Sequence, residues 1–344
     1  MERNGTILTV QDLRKYFPVR GGLLHRVQAW VKAVDGISFD VRRGEILGIV
    51  GESGCGKSTT ARLLLRLIEP DVGEVHFEGQ NILKALTAGL KAYRQQVQMV
   101  FQDPYSSLNP RMNIEDAVAF NVLVHGASRS EARAKAWDVL NKVGLRAEQF
   151  GRRYPHELSG GQRQRVNIAR ALVLDPKLVL LDEPVSSLDK SVQAQVLNLL
   201  QTLKKDLGLT YVFISHDLHV IEYLSDRVVV MYLGQIVEIG SAEEVSAAPL
   251  HPYTQALFAS APSMNPDERI ERPPLTGDPP NPINPPSGCR FRTRCPHAMA
   301  KCASATPPLL PIDERGRQVA CYLFGDGTDI SPSSSGRALG DQAQ

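Results

Sequence analysis

Glu45-Ile-Leu-Gly-Ile-Val50 runs directly into Gly51-Glu52-Ser53-Gly54-Cys55-Gly56-Lys57-Ser58, and residues 57–68 then repeat apolar side chains at helical spacing. The octet matches G-x-x-x-x-G-K-[ST], and an apolar strand before it with a helix after it is the context that gives the motif meaning. Small residues across Gly51, Ser53, Gly54, Cys55 and Gly56 let successive backbone N–H groups face phosphate oxygens. The helix start at Lys57, Ser58 and Thr59 adds a favourable dipole, Lys57 reaches the β/γ-phosphates, and the Ser58 hydroxyl suits Mg²⁺. The stretch therefore predicts an ATP or GTP site. Cys55 fills a variable position of the loop as a small residue and receives no redox role.

Further apolar runs bounded by turn residues occur at 97–101, 178–181, 211–214 and 228–232, with helical-period stretches at 131–143, 161–174 and 191–207. Strands alternating with helices predict an α/β fold with a mainly parallel sheet covered on both faces. Residues 86–171 are mostly helical in pattern and interrupt the alternation, so they are expected to form an inserted helical subdomain within a nucleotide-binding domain spanning 1–260. After Ser260 proline crowds the sequence and breaks regular elements. Residues 261–325 are expected to form a small Pro-rich module with four cysteines, and 326–344 a disordered tail.

The 344 residues suffice for a domain with an appendage, and 42% hydrophobic with 22% charged residues is ordinary for a globular protein. Thirty-nine Lys+Arg against 37 Asp+Glu leave a net charge of +2, which gives no electrostatic case for a nucleic-acid partner. The longest uncharged apolar run, 228–237, falls short of the roughly 20 residues a membrane helix needs. MERNGT at the start lacks the apolar core of a secretory signal, so a cytosolic location is expected.

Leu178-Val-Leu-Leu-Asp182-Glu183-Pro184 ends an apolar strand in two acids, which places both at the strand's C-terminal end, where α/β sheets hold ligands. Asp182 suits Mg²⁺, directly or through water, and Glu183 suits orientation or deprotonation of an attacking water. Between these motifs, Leu158-Ser159-Gly160-Gly161-Gln162 opens a helical stretch and forms a second anion-facing helix start. One phosphate loop with two phosphate-binding helix ends points to a site shared by two chains.

In the ordered set of these motifs the sequence resembles the nucleotide-binding subunits of ATP-binding cassette (ABC) transporters over about residues 7–240. The resemblance implies two cassettes facing head to tail, each ATP lying between the phosphate loop of one and Ser159, Gly160, Gly161 and Gln162 of the other. Phe17 matches the adenine-stacking position, with Tyr16 the lesser candidate. Gln102 in VFQDP matches the glutamine that contacts Mg²⁺ or water, Asp189 the inter-cassette loop, and His216 in FISHD the histidine on the γ-phosphate. Mg²⁺ is thus expected at Ser58, Gln102 and Asp182, with Glu183, His216, Lys57 and Gln102 as the catalytic set. DNA-maintenance relatives split the cassette with coiled coils and ribosomal relatives carry two cassettes, neither of which is seen here.

Four of five cysteines, Cys289, Cys295, Cys302 and Cys321, crowd the end of the chain, and the spacing alone admits Zn²⁺ or an iron–sulfur cluster. His251-Pro-Tyr-Thr254 followed by this pattern, together with the long insert at residues 16–39, is similar to the ATPases of dipeptide and oligopeptide importers. That similarity implies a [4Fe-4S] cluster on the four cysteines, with zinc as the alternative. Such relatives often carry histidines near the last cysteine, where this chain has Gln318 and Tyr322. It also implies a second ATPase subunit in a heterodimer, two transmembrane permease subunits, an extracytoplasmic solute-binding protein, and a peripheral place on the cytoplasmic face of the inner membrane. Nickel or another small solute is the alternative cargo, and a soluble non-transport ABC ATPase the alternative function.

Overall fold

The computed structural model describes residues 5–21, 26–260 and 280–325. β1 (Thr6–Gly21) and β2 (Arg26–Arg42) pair antiparallel, and the chain then crosses to β3 (Ile46–Val50). All five residues of β3 are buried, as expected of a strand covered on both faces. α1 (Lys57–Leu64) stops short of the expected residue 68. Arg66 turns left-handed at φ 52°, and the freed carbonyls of Leu64, Leu65 and Arg66 accept from the Tyr93 hydroxyl and the Arg94 guanidinium.

β4 (Val72–Phe77) and β5 (Gln80–Asn81) complete a four-stranded antiparallel sheet in the order β2-β1-β4-β5. There follow α2 (Thr87–Gln96), β6 (Val97–Val100), α3 (Ile114–Val124), α4 (Arg129–Lys142), α5 (Ala147–Phe150) and α6 (Gly160–Leu172). Asn113 and Ser128 cap α3 and α4 by accepting from the N–H groups of Asp116 and Glu131. β6, although inside the 86–171 stretch, is a strand of the main sheet through parallel pairing with β7 (Leu178–Asp182). α3, α4 and α6 pack on one another beside it.

Next come α7 (Lys190–Leu207), β8 (Thr210–Ile214), α8 (Leu218–Leu224), β9 (Arg227–Tyr232), β10 (Gln235–Ser241), α9 (Ala242–Ala247) and α10 (Pro252–Ala259). α11 (Ala300–Ser304), β11 (Leu310–Pro311) and β12 (Gln318–Val319) follow in the C-terminal segment. The main sheet runs β11-β12-β10-β9-β3-β8-β7-β6, parallel from β9 to β6 and antiparallel beyond β9. Alternation sorts its side chains into two cores. Ile46, Val50, Val179, Leu181, Tyr211 and Phe213 face the helices α3, α4, α6 and α7, whereas Leu47, Ile49, Leu178, Leu180, Val212 and Ile214 face α1 and the antiparallel sheet.

Residues 280–325 dock on the β10 edge through β12, which pairs at Glu238 and Ile239. Glu238 is fully buried there, its carboxylate accepting from Arg317 at 2.8 Å and from the backbone N–H groups of Leu250 and His251. Most of the Pro-rich stretch, 261–279, and the expected tail at 326–344 lie outside the described residues.

Candidate functional site

The loop between β3 and α1 closes on itself through Lys57, whose Nζ donates to the carbonyls of Gly51 at 2.7 Å and Glu52 at 3.1 Å. Ser53 and Gly54 are exposed on the loop, and Thr59 is half-buried on the first turn of α1. Cys55 is buried beneath it, and burial pushes its thiol pKa up, away from a reactive thiolate. From the adjacent strand end, Asp182 Oδ1 accepts from Ser58 Oγ at 2.8 Å. Burial raises the Asp182 carboxyl above the ordinary range, while the Ser58 hydroxyl works against the rise. A buried carboxylate that, among the described residues, is hydrogen-bonded to a hydroxyl at the end of a phosphate loop is a suitable place for a divalent cation.

Glu183 gathers the remaining residues. Parallel register sets Val100 beside Leu181 and Asp182 beside Ile214, so the chain leaves β6, β7 and β8 at nearly one level. Gln102, Glu183 and His216 follow at once, and Glu183 Oε2 accepts from Gln102 Nε2 at 2.9 Å and lies 3.2 Å from His216 Nδ1. Glu183 itself sits at φ 47°, held by its N–H to the carbonyl of Ile214 at 3.0 Å. The side chain is thereby turned to the sheet's C-terminal rim, where His216 is exposed.

Ser159 and Gln162 bond to each other in a reciprocal capping box at the start of α6, with Gly160 and Gly161 in its first turn. Asp189 stands exposed at the N-cap of α7, and its side chain makes no capping bond. Tyr16 is committed elsewhere, its hydroxyl donating to Asp35. Phe17, half-buried, pairs across the ladder with Val31, and the Lys15 ammonium lies 5.7 Å from its ring centre.

Cys289, Cys295, Cys302 and Cys321 are all free thiols and line one small cavity together with His251, Phe291 and His297. Burial pushes Cys289 up to about 11, and the neighbouring thiols resist its ionisation further. Cys295 and Cys321 are raised for the same reasons. Among the described residues no group of three or more His, Cys, Asp or Glu side chains stands in metal-holding geometry, so the thiols share a cavity without being closed on a single point. His251 was not a sequence candidate for this cavity. It is buried, accepts from the Tyr253 N–H at Nδ1, and burial lowers its pKa to about 3.

Three other residues escaped the sequence reading. The Tyr253 hydroxyl accepts from the Glu52 N–H at 2.8 Å, and Arg294 pairs with both carboxylate oxygens of Glu52 at 2.9 and 3.1 Å. In the sequence Tyr253 stands out only as part of the His251–Thr254 motif, and no local signal links Glu52 with Arg294.

A phosphate loop, an acid on its serine and a glutamate bridged to a glutamine and a histidine define a P-loop ATPase, and comparison with known proteins agrees. The family described as "ABC transporter" matches residues 34–186, and "Oligopeptide/dipeptide transporter, C-terminal region" matches 237–302. The chain is 49% identical to the dipeptide transport ATP-binding protein DppF of Escherichia coli, over 92% of this chain and 94% of that one. It is equally 49% identical to the oligopeptide transport ATP-binding protein AppF of Bacillus subtilis, over 93% and 98%. Among solved structures, cbiO1 of Clostridium perfringens, part of the ABC transporter complex cbiONQ, superposes at a TM-score of 0.61 with 30% identity, over 71% of this chain and 91% of that one. The dimeric cassette MJ0796, in a post-hydrolysis state with ADP and Pi, gives 0.60 with 28% identity, over 69% and 99%. The chain belongs to the ATP-binding subunits of the dipeptide and oligopeptide ABC transporters, ATPases that work with membrane permeases.

Proposed function

We propose that the chain hydrolyses ATP to drive an importer of dipeptides or oligopeptides, as one half of a head-to-tail cassette pair. The observation that carries the catalytic reading is the Gln102–Glu183–His216 arrangement beside the Ser58–Asp182 pair. The triphosphate lies on the backbone of Gly51–Ser58, with Lys57 turned from its loop carbonyls to the β/γ-phosphates. Ser58, Asp182 and Gln102 would hold Mg²⁺, which supplies charge neutralisation between those phosphates. Glu183 orients the attacking water and accepts its proton, while His216 contacts the γ-phosphate and Phe17 stacks on adenine. Ser159, Gly160, Gly161 and Gln162 of the opposing cassette close over the same nucleotide, and exposed Asp189 meets the facing subunit.

The relatives named for dipeptide and oligopeptide transport support peptides as cargo. Among the described residues no helix is long and apolar enough to cross a membrane, which fits a motor that leaves the pore to other subunits. The partners would be two permeases, a different second ATPase and an extracytoplasmic binding protein, with the chain peripheral on the inner face of the inner membrane. Affinity purification from membranes should bring down both permeases and a second ATPase. Recovery of the chain alone, or with a second copy of itself and no permease, refutes this assembly.

Four free thiols on one cavity are a chemically suitable donor set for a [4Fe-4S] cluster held by Cys289, Cys295, Cys302 and Cys321. The thiols would have to be drawn together on one point to ligate it. The group would cross-link a segment that has little apolar core of its own. Anaerobic purification should yield a brown protein with about four iron and four sulfide per chain. A colourless protein with one zinc overturns the cluster assignment.

A further inference from the structure

Glu52, the second residue of the phosphate loop, has every polar group engaged. Its carbonyl accepts from Lys57 Nζ at 3.1 Å and from the Cys55 N–H at 3.2 Å. Its N–H and its carboxylate are both taken by the C-terminal third of the chain, through Tyr253 and Arg294. The Arg294 contact is bidentate, and with side chains 6% and 22% exposed it is shielded from most solvent screening.

The support behind Arg294 is equally specific. It lies in the loop from Cys289 to Cys295, which Arg290 anchors to the cassette by donating to the carbonyl of Leu233 and to Asp35. Between the two arginines, Phe291 packs edge-on against Tyr232 and Tyr253, with ring centres 5.3 and 5.4 Å apart. The same loop therefore positions Arg294 and backs the ring of Tyr253.

We propose that Arg294 and Tyr253 are positioning residues for ATP: they fix Glu52, and with it the backbone course of the phosphate loop, so that nucleotide affinity is set by the C-terminal segment. A phosphate loop must present several N–H groups at once, and pinning its second residue from outside reduces the ordering that ATP must otherwise impose. The inference rests on the assignment of Gly51–Ser58 to the triphosphate. It does not require any group on the cysteines.

The test is titration of the full-length chain with a fluorescent ATP analogue and Mg²⁺, well below the melting temperature of each variant. Arg294→Ala and Glu52→Ala should each weaken binding about 3–10-fold, the double variant should be no weaker than the worse single one, and Arg294→Lys should restore part of the loss. Tyr253→Phe should weaken binding about 3-fold. In the assembled transporter, KM for ATP should change more than kcat. Glu52→Ala removes the same ion pair without a substitution in the cysteine-bearing segment, so it supplies the same reading if Arg294→Ala fails to fold. Wild-type affinity in Glu52→Ala, or a lowered melting temperature with unchanged affinity, overturns the proposal. Lys57→Ala separates the two levels. Wild-type binding by that variant removes the phosphate-loop assignment, whereas lost binding there with normal binding in Glu52→Ala removes only the clamp.

Discussion

Glu183→Gln should bind ATP normally and lose about 10²–10⁴ in turnover, the range associated with removal of a positioned general base. The amide keeps the length of the side chain and can still bond to Gln102 and His216, so the geometry around the site persists. What disappears is the ability to take a proton from water. Because binding survives while hydrolysis does not, a cassette pair closed on ATP should accumulate, visible as a stable complex of this chain with the second ATPase in size-exclusion chromatography of the two subunits with ATP. Hydrolysis near the wild-type rate would remove Glu183 from the proton-accepting role.

Gly56→Ala should abolish nucleotide binding and destabilise the fold. Gly56 has φ 108°, a region that L side chains rarely adopt, and an added Cβ would stand 2.2 Å from the carbonyl oxygen of Ala33 on β2. Backbone on both sides of the clash leaves no flexible side chain to yield. The combined cost is about 2–4 kcal/mol, and any relief displaces the neighbouring Lys57. Gly54→Ala is the control, because Gly54 also has positive φ but nothing within 4 Å of an added Cβ. Its cost should stay near 1 kcal/mol. Thermal melting and ATP titration of both variants check the account, and indistinguishable results for the two would show that the Ala33 approach is unimportant.

The strands of the main sheet were legible where they are buried on both faces. Residues 178–181 and 211–214 read as uninterrupted apolar runs because no face of β7 or β8 meets water. The antiparallel sheet was not legible for the opposite reason. β1 carries repeated register shifts and Asp12 at φ 43°, so its alternation is broken and only four of its sixteen residues are buried. Gln102, Glu183 and His216 stand out in the sequence because each follows a readable strand and belongs to an ordered motif set, and the fold brings the three side chains together. Arg294 was out of reach because it meets Glu52 across 242 positions, and only the folded chain brings them together. The cysteines were conspicuous by type, while the buried His251 beside them was submerged in a motif read for its family value.

β12 has a consequence beyond holding the cysteine-bearing segment in place. A strand edge with free N–H and C=O groups is a template for pairing with other chains. β10 would present such an edge, and the two residues of β12 occupy it at Glu238 and Ile239, with β11 stacked outside. The segment that reaches the phosphate loop at one end thus guards the sheet against self-association at the other, and a chain trimmed to its nucleotide-binding motifs would lose both protections at once.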